Sequence, residues 1–207
     1  MAGELKLDKV RLCLGSQLLL AVDAVVPAGR VLTIMGPSGS GKSTLLAFIA
    51  GFLNPAFTAE GRIVLECVDV TSLPAERRRI GLLFQDPMLF PHLSVAGNLL
   101  FGIPRDVPDR RNRAAAALVE AGLEGFGTRD PATLSGGQKA RVALMRLLLS
   151  EPRAVLLDEP FSKLDAGLKG EMRAYVFTSL KTRGLPALLV THDEADAVAA
   201  GGPIVRI

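Results

Sequence analysis

Gly36-Pro37-Ser38-Gly39-Ser40-Gly41-Lys42-Ser43 fits the pattern G-x-x-x-x-G-K-[ST]. Glycines at that spacing let consecutive backbone N–H groups turn inward around phosphate oxygens. Lys42 supplies the cation that reaches the β- and γ-phosphates of a nucleotide, and Ser43 places a hydroxyl on Mg²⁺. Context supports the motif. VLTIM (Val31–Met35) ahead of it reads as a strand, and Lys42–Ala50 behind it reads as a helix. The positive end of that helix adds about half an elementary charge toward the same anion.

Other residues carry compatible chemistry. Asp158 follows an apolar run, as expected for a carboxylate that holds Mg²⁺ directly or through water. Glu159 comes next and has the right type for a general base that polarises water; the competing reading is a carboxylate approaching a helix, without chemistry. Gln85 is placed to reach the metal or the water, and His192 to contact the γ-phosphate, although a lone histidine after a strand also serves structural ends.

Four elements position these groups. VLTIM runs into the glycine loop, GLLF (Gly81–Phe84) into Gln85, AVLL (Ala154–Leu157) into Asp158-Glu159, and ALLVT (Ala187–Thr191) into His192. Short continuous apolar runs suit strands buried on both faces of a parallel sheet. Ligands of such sheets bind beyond the carboxyl ends of the strands, so topology alone gathers the four groups on one edge. The amino-terminal part alternates instead: Leu5, Leu7, Val10, Leu12 and Leu14 lead to a turn at Gly15-Ser16. Ile63–Val70 alternates likewise after a turn expected at Glu60-Gly61. Between Pro87 and Pro152 the pattern becomes helical, including Asn112–Ala121 closed by Gly122. The expected fold class is α/β: a P-loop NTPase with a parallel-sheet core, an antiparallel β subdomain and an inserted α-helical subdomain at roughly 87–152.

Composition narrows the classes. The 207 residues suffice for one well-buried domain with a subdomain. Hydrophobic content is 49%, and mean hydropathy is +0.33. No run approaches the roughly 18 uninterrupted apolar residues of a spanning helix, since Arg146 breaks the longest candidate, Val142–Leu149. Glu4, Asp8 and Arg11 interrupt any leader over Met1–Leu20. A net charge of +3 is too mild to demand nucleic acid. Arg77-Arg78-Arg79 reads as a solvated face, and Cys13 and Cys67 lack metal-ligand spacing.

TLSGGQKARVALMRLLL (Thr133–Leu149) sets two glycines at the head of a helix, where each costs about 1 kcal/mol against alanine. With GPSGSGKST (Gly36–Thr44), the glutamine of LLFQD, AVLLDEPFSKLD and the histidine of VTHD, LSGGQ completes five segments. In order and spacing they resemble the ATP-binding subunits of ABC transporters over nearly the whole chain. The resemblance implies that Ser135, Gly136, Gly137 and Gln138 bind the γ-phosphate of ATP held by the opposite subunit, with Asp165 bridging between the two. The head of that helix is then half a site: Ser135, Gly136 and Gly137 offer unpaired N–H groups to another chain's nucleotide. The implied activity is ATP hydrolysis to ADP and phosphate, with ATP and Mg²⁺ bound. A second copy, a transmembrane permease and, indirectly, a solute-binding protein are the implied partners, with no nucleic acid. The implied location is peripheral, at the cytoplasmic face of a bacterial inner membrane. A soluble ABC ATPase acting on DNA or the ribosome is the alternative. The 92 positions between Ser43 and Ser135 leave no room for a long coiled-coil insertion.

VDVTSLPAERRRIGLLFQDPMLFPHLSVAGNLLFG (Val68–Gly102) is similar to importers of ions, polyamines, thiamine and sugars. There the stretch lines a groove for a permease helix. Met88, Leu89, Phe90, Pro91 and Leu93 would form such a groove, or fill the helical subdomain. A short bacterial subgroup shares PATLSGGQ-x-ARVALxRxLL. The family usually stacks an aromatic on adenine just before the equivalent of Gly15. This chain has Cys13 and Leu14 there, no Trp, and only Tyr175 as tyrosine. Leu14 then covers the base by dispersion alone, and adenine selectivity weakens. The expected organisation is one ATP-binding domain over 4–207, ending at Ile204-Val205-Arg206-Ile207 without a regulatory domain.

Overall fold

The computed structural model describes residues 3–207; Met1 and Ala2, the start of the stretch weighed as a leader, lie outside the described residues. The antiparallel part comes first. β1 (Glu4–Leu14) and β2 (Gln17–Pro27) form a hairpin, and β4 (Phe57–Leu65) and β5 (Val68–Asp69) extend it in the order β2-β1-β4-β5. Between them run β3 (Val31–Met35) and α1 (Lys42–Ala50). After α2 (Ala75–Arg78) and β6 (Ile80–Leu83), the chain makes no strand until β7 (Ala154–Asp158). That interval holds α3 (Val95–Gly102), α4 (Arg110–Glu120) and α5 (Gly136–Leu149). Then come α6 (Ala166–Thr182), β8 (Ala187–Thr191), α7 (Glu194–Ala200) and β9 (Ile204–Arg206).

The four apolar runs form one parallel sheet, ordered β6-β7-β8-β3-β9. Its two faces meet different partners, which is why its strands read as unbroken apolar runs. Ala154, Leu156, Leu188, Val190 and Ile34 pack with α1 and with Leu5, Leu7, Leu12 and Ile63 of the antiparallel sheet. Val155, Leu157, Ala187 and Leu189 pack on the other side with Val142 and Leu144 of α5 and Met172, Val176 and Leu180 of α6. Each strand is thus fixed in register from both sides, and its carboxyl end is fixed with it.

Two expectations are corrected. Glu60-Gly61 is no turn: both residues lie inside β4, where the pairing with β1 shifts register between Asp8 and Arg11. Gly61 has φ +92°, and a Cβ there would stand 2.5 Å from the Lys9 carbonyl oxygen, so glycine marks a bulge with close backbone approach. The final residues Ile204–Arg206 form β9, hydrogen-bonded in parallel to β3. Arg77–Arg79 is not a uniform solvated face, because Arg78 is only 6% exposed. Its guanidinium donates to the carbonyls of Phe48 and Ile49 at 2.8 and 2.9 Å, and also to those of Leu73 and Thr71. Phe48 and Ile49 lie in the last turn of α1, where Gly51 N–H also reaches the Phe48 carbonyl at 3.2 Å, so the Ile49 carbonyl depends on Arg78 the more. Arg78 therefore caps with positive charge the helix that starts at the glycine loop.

Arg78→Met removes the side-chain donor from those carbonyls, at most cost to Ile49. It is expected to lower unfolding free energy by about 2–4 kcal/mol, read as a lower urea midpoint. Arg77→Met, on the exposed neighbour, serves as the control that should change it little.

Candidate functional site

A pocket of about 500 Å³ opens at the carboxyl edge of the parallel sheet, lined by Gln85, Asp158, Glu159 and, from the loop and the start of α1, Ser38, Gly39 and Gly41 to Thr44. Among the described residues, the backbone N–H groups of Ser38, Gly39, Gly41, Lys42, Ser43 and Thr44 donate to no protein acceptor. That is the arrangement of an anion cradle. Gly39 and Gly41 hold it open with φ of +83° and +90°, which side chains with a Cβ adopt only at a cost. Lys42 is 5% exposed, and its ammonium donates to the Gly36 and Pro37 carbonyls at 2.8 and 2.7 Å. Ser40 turns its hydroxyl onto Pro37 O at 2.8 Å and stiffens the loop.

The carboxylates differ in setting. Asp158 Oδ1 accepts the Ser43 hydroxyl at 3.2 Å across the sheet edge. Burial pushes the Asp158 carboxyl above its ordinary range, the neighbouring Glu159 adds to the rise, and the Ser43 bond and Lys42 oppose it. A hydroxyl and a desolvated carboxylate converging from two elements suit a hard divalent cation, so the donors present fit Mg²⁺. Glu159 holds φ +45°, rare for a residue with a Cβ and strained by about 1–2 kcal/mol. Its N–H is fixed by the Val190 carbonyl at 2.9 Å, and its Oε1 lies 3.0 Å from His192 Nδ1. A neutral ring donating Nδ1–H to that carboxylate leaves Nε2 as an acceptor only. Contact between Nε2–H and a phosphate oxygen therefore requires the imidazolium. The turn bearing His192 is braced from beneath: Thr191 Oγ1 donates to buried Asp196 at 2.9 Å, and Arg173 bridges Asp193 and Asp196. Gln85 is exposed at the pocket's rim.

The second glycine pair lies elsewhere. Ser135 caps α5 reciprocally with Gln138: Ser135 N–H donates to Gln138 Oε1 at 2.9 Å and Gln138 N–H to Ser135 Oγ at 3.3 Å. Ser135 N–H is therefore not free, contrary to the sequence expectation. Among the described residues, the N–H groups of Gly136 and Gly137 have no acceptor. Neither glycine has a positive φ, and a Cβ would meet only ordinary contacts, 3.8 Å from Leu164 and 3.4 Å from Leu168. Nothing within the chain requires glycine there. The signature residues do not line the glycine-loop pocket. Asp165 stands exposed ahead of α6 and makes no capping bond.

The apolar stretch after Gln85 divides. Met88 is 60% exposed, and Leu89 packs partly on the helical core. Phe90 lines a cleft of about 350 Å³ with Phe84, Pro87 and Phe101. The Phe90 and Phe101 rings meet at a tilt of 57° with centroids 4.5 Å apart, and Phe101 is 65% exposed. Two polar side chains, buried Asn98 and half-buried Arg146, hold this stretch, and sequence reading gave neither a role. Asn98 bonds both the N–H and the carbonyl of Phe90, and Arg146 of α5 donates to the carbonyls of Pro87 and Met88. Phe57 and Leu19 also line the glycine-loop pocket beside Leu14. Phe57 is remote from Gly15 in sequence, and only the ladder places it opposite Leu14.

Stability should carry the mark of Asp158. A carboxyl raised by burial favours its protonated form in the folded state, so stability is lost as pH rises through its titration. Asp158→Asn is expected to raise the urea midpoint at neutral pH, with the gain vanishing below about pH 4. An unchanged or lower midpoint at neutral pH contradicts the desolvated carboxylate.

Residues 19–162 match the family model described as ABC transporter. Over 186 residues the chain is 47% identical to the uncharacterized ABC transporter ATP-binding protein YnjD of Escherichia coli strain K12, covering 89% of this chain and 86% of that one. It is 44% identical to the thiamine import ATP-binding protein ThiQ of Jannaschia sp. over 93% of this chain and 84% of the relative. It is also 48% identical to the Fe(3+) ions import ATP-binding protein FbpC of Pseudomonas fluorescens, over 84% of this chain and 50% of the relative. These relatives give the nucleic-acid alternative no support. With its phosphate loop, its glycine-headed helix and this likeness over most of its length, the chain belongs to the ABC transporter family as an ATP-binding subunit.

Proposed function

We propose that the chain hydrolyses ATP as a homodimer closed around two nucleotides, and that this closure drives solute import through a separate permease in the membrane to which it attaches peripherally. The observation that carries the reading is the head of α5. Gly136 and Gly137 present N–H groups without acceptors, at positions where the chain's own backbone and packing tolerate a Cβ. A helix end of that kind outside its own phosphate pocket suits a ligand brought by another copy. The names of ThiQ and FbpC support import as the direction. The Phe90–Phe101 cleft offers a seat for a short permease helix. Among the described residues no helix is long and apolar enough to cross a membrane itself.

In this reading the loop N–H groups and Lys42 bind the β- and γ-phosphates, the ammonium exchanging the Gly36 and Pro37 carbonyls for phosphate oxygens. Ser43 and Asp158 would hold Mg²⁺, with Gln85 at the rim, and the ion would supply positive charge against the phosphates. Glu159 accepts the proton of the attacking water as the new phosphorus–oxygen bond forms and the bond to ADP breaks. His192 steadies Glu159 and faces the γ-phosphate. The partner's glycine-headed helix caps that phosphate from the other side, with Asp165 at the seam.

Steady-state hydrolysis and sizing in ATP test this. Glu159→Gln should lower turnover by about a hundredfold or more while an ATP-bound dimer accumulates. Lys42→Ala should weaken ATP binding by about ten- to a hundredfold. Ser135→Arg should bind ATP as a monomer yet neither dimerise nor hydrolyse; normal dimerisation by that variant overturns the shared site.

A further inference from the structure

The His192 ring has little of its own to hold it. Its side chain is 58% exposed, and among the described residues its one hydrogen bond is that to Glu159. Where the ring stands is therefore set by the backbone on either side, and both neighbours are tied to a single guanidinium. Arg173 of α6 forks between two carboxylates: its Nε donates to Asp196 Oδ1 at 2.6 Å, and a terminal N–H donates to Asp193 Oδ2 at 3.0 Å. Buried Asp196 accepts the Thr191 hydroxyl through its other oxygen, and that hydroxyl accepts the Asp193 N–H at 3.0 Å. Asp193 Oδ1 also caps α7 by accepting the Ala195 N–H at 2.8 Å. The residues before and after His192 thus hang from the same cation. Lys169, one turn earlier on α6, comes no nearer to Asp193 than 3.9 Å.

We propose that Arg173 is a positioning residue for ATP hydrolysis, holding the His192 turn so that the ring meets both Glu159 and the γ-phosphate. This rests on the reading that Glu159 and His192 act on a bound nucleotide, and it adds a residue that touches neither of them. A guanidinium pairs with two carboxylates at once through a rigid fork, which an ammonium on a flexible stem does not reproduce. Without the fork, Asp193 and Asp196 face each other as like charges, one of them buried, and the turn they carry shifts. Misplacing a reacting group by about 1 Å costs up to about a hundredfold in rate. The loop N–H groups and Lys42 share no bond with Arg173, so phosphate binding is spared.

Two variants of the full chain test the role. Arg173→Lys keeps a cation beside buried Asp196 but loses the fork, and Asp193→Asn keeps the cap on α7 while releasing the guanidinium. Each should lower kcat by about tenfold, hold ATP affinity by equilibrium titration within about twofold, and add nothing to the loss that His192→Ala causes alone. The chain has two histidines, so ring-labelled protein gives a nuclear magnetic resonance signal for His192 and an internal control from His92. In nucleotide-free protein both variants should move the His192 ring resonances and leave those of His92 in place. The proposal falls if kcat stays within about twofold in both variants, if ATP affinity drops as far as kcat, or if the losses add to that of His192→Ala. It falls equally if the His192 resonances stay still, or if both histidine signals move alike, as a general loss of structure produces. Normal hydrolysis by His192→Ala overturns the reading of His192 first, and the role of Arg173 with it.

Discussion

Backbone N–H groups held without acceptors are the constraint around which the rest of the molecule is arranged. An unpaired amide is tolerable where water or a ligand reaches it, and the phosphate loop and the head of α5 both meet that condition at the surface of rigid elements. Keeping amides open in one conformation needs support from below. At the loop it comes from β3, buried on every side, and from α1, whose far end is locked by Arg78. At α5 it comes from the Ser135–Gln138 box, which satisfies its own two donors and leaves the two glycine donors outward.

The parallel sheet turns this local chemistry into a site. Strands fixed in register by two separate cores end together, so Ser43 meets Asp158 and Glu159 meets His192, although the members of each pair are remote in sequence. Strain at Glu159 and the desolvated Asp158 both lie at that edge, where a fold selected only for stability would have relaxed them.

Most of this edge was legible in the sequence because the signals were local. An apolar run followed by a polar residue reveals both the strand and what it delivers, and the glycine loop declares its own backbone shape. What escaped depended on pairing across the chain. Phe57 becomes part of the pocket only through its register opposite Leu14. Arg78 resembles its neighbours in type but points into the protein toward carbonyls of α1. Gly61 carries the same letter in a turn and in a bulge, and only the Lys9 carbonyl pressing on it tells the two apart. The Met88–Leu93 stretch read as uniformly apolar because the Asn98 and Arg146 side chains that fasten it come from two later helices.

Arg146 sits on the same unbroken helix as Gly136, ten residues on, or about 15 Å at the rise of an α-helix. In the proposed dimer one end of this rod would face a nucleotide's terminal phosphate, while the other grips the backbone of Pro87 and Met88. A rod has no joint at which motion can be absorbed. Pulling its tip toward an anion would therefore swing the aromatic shelf along with it, and in the proposed dimer force generated at one surface would be delivered mechanically at the other.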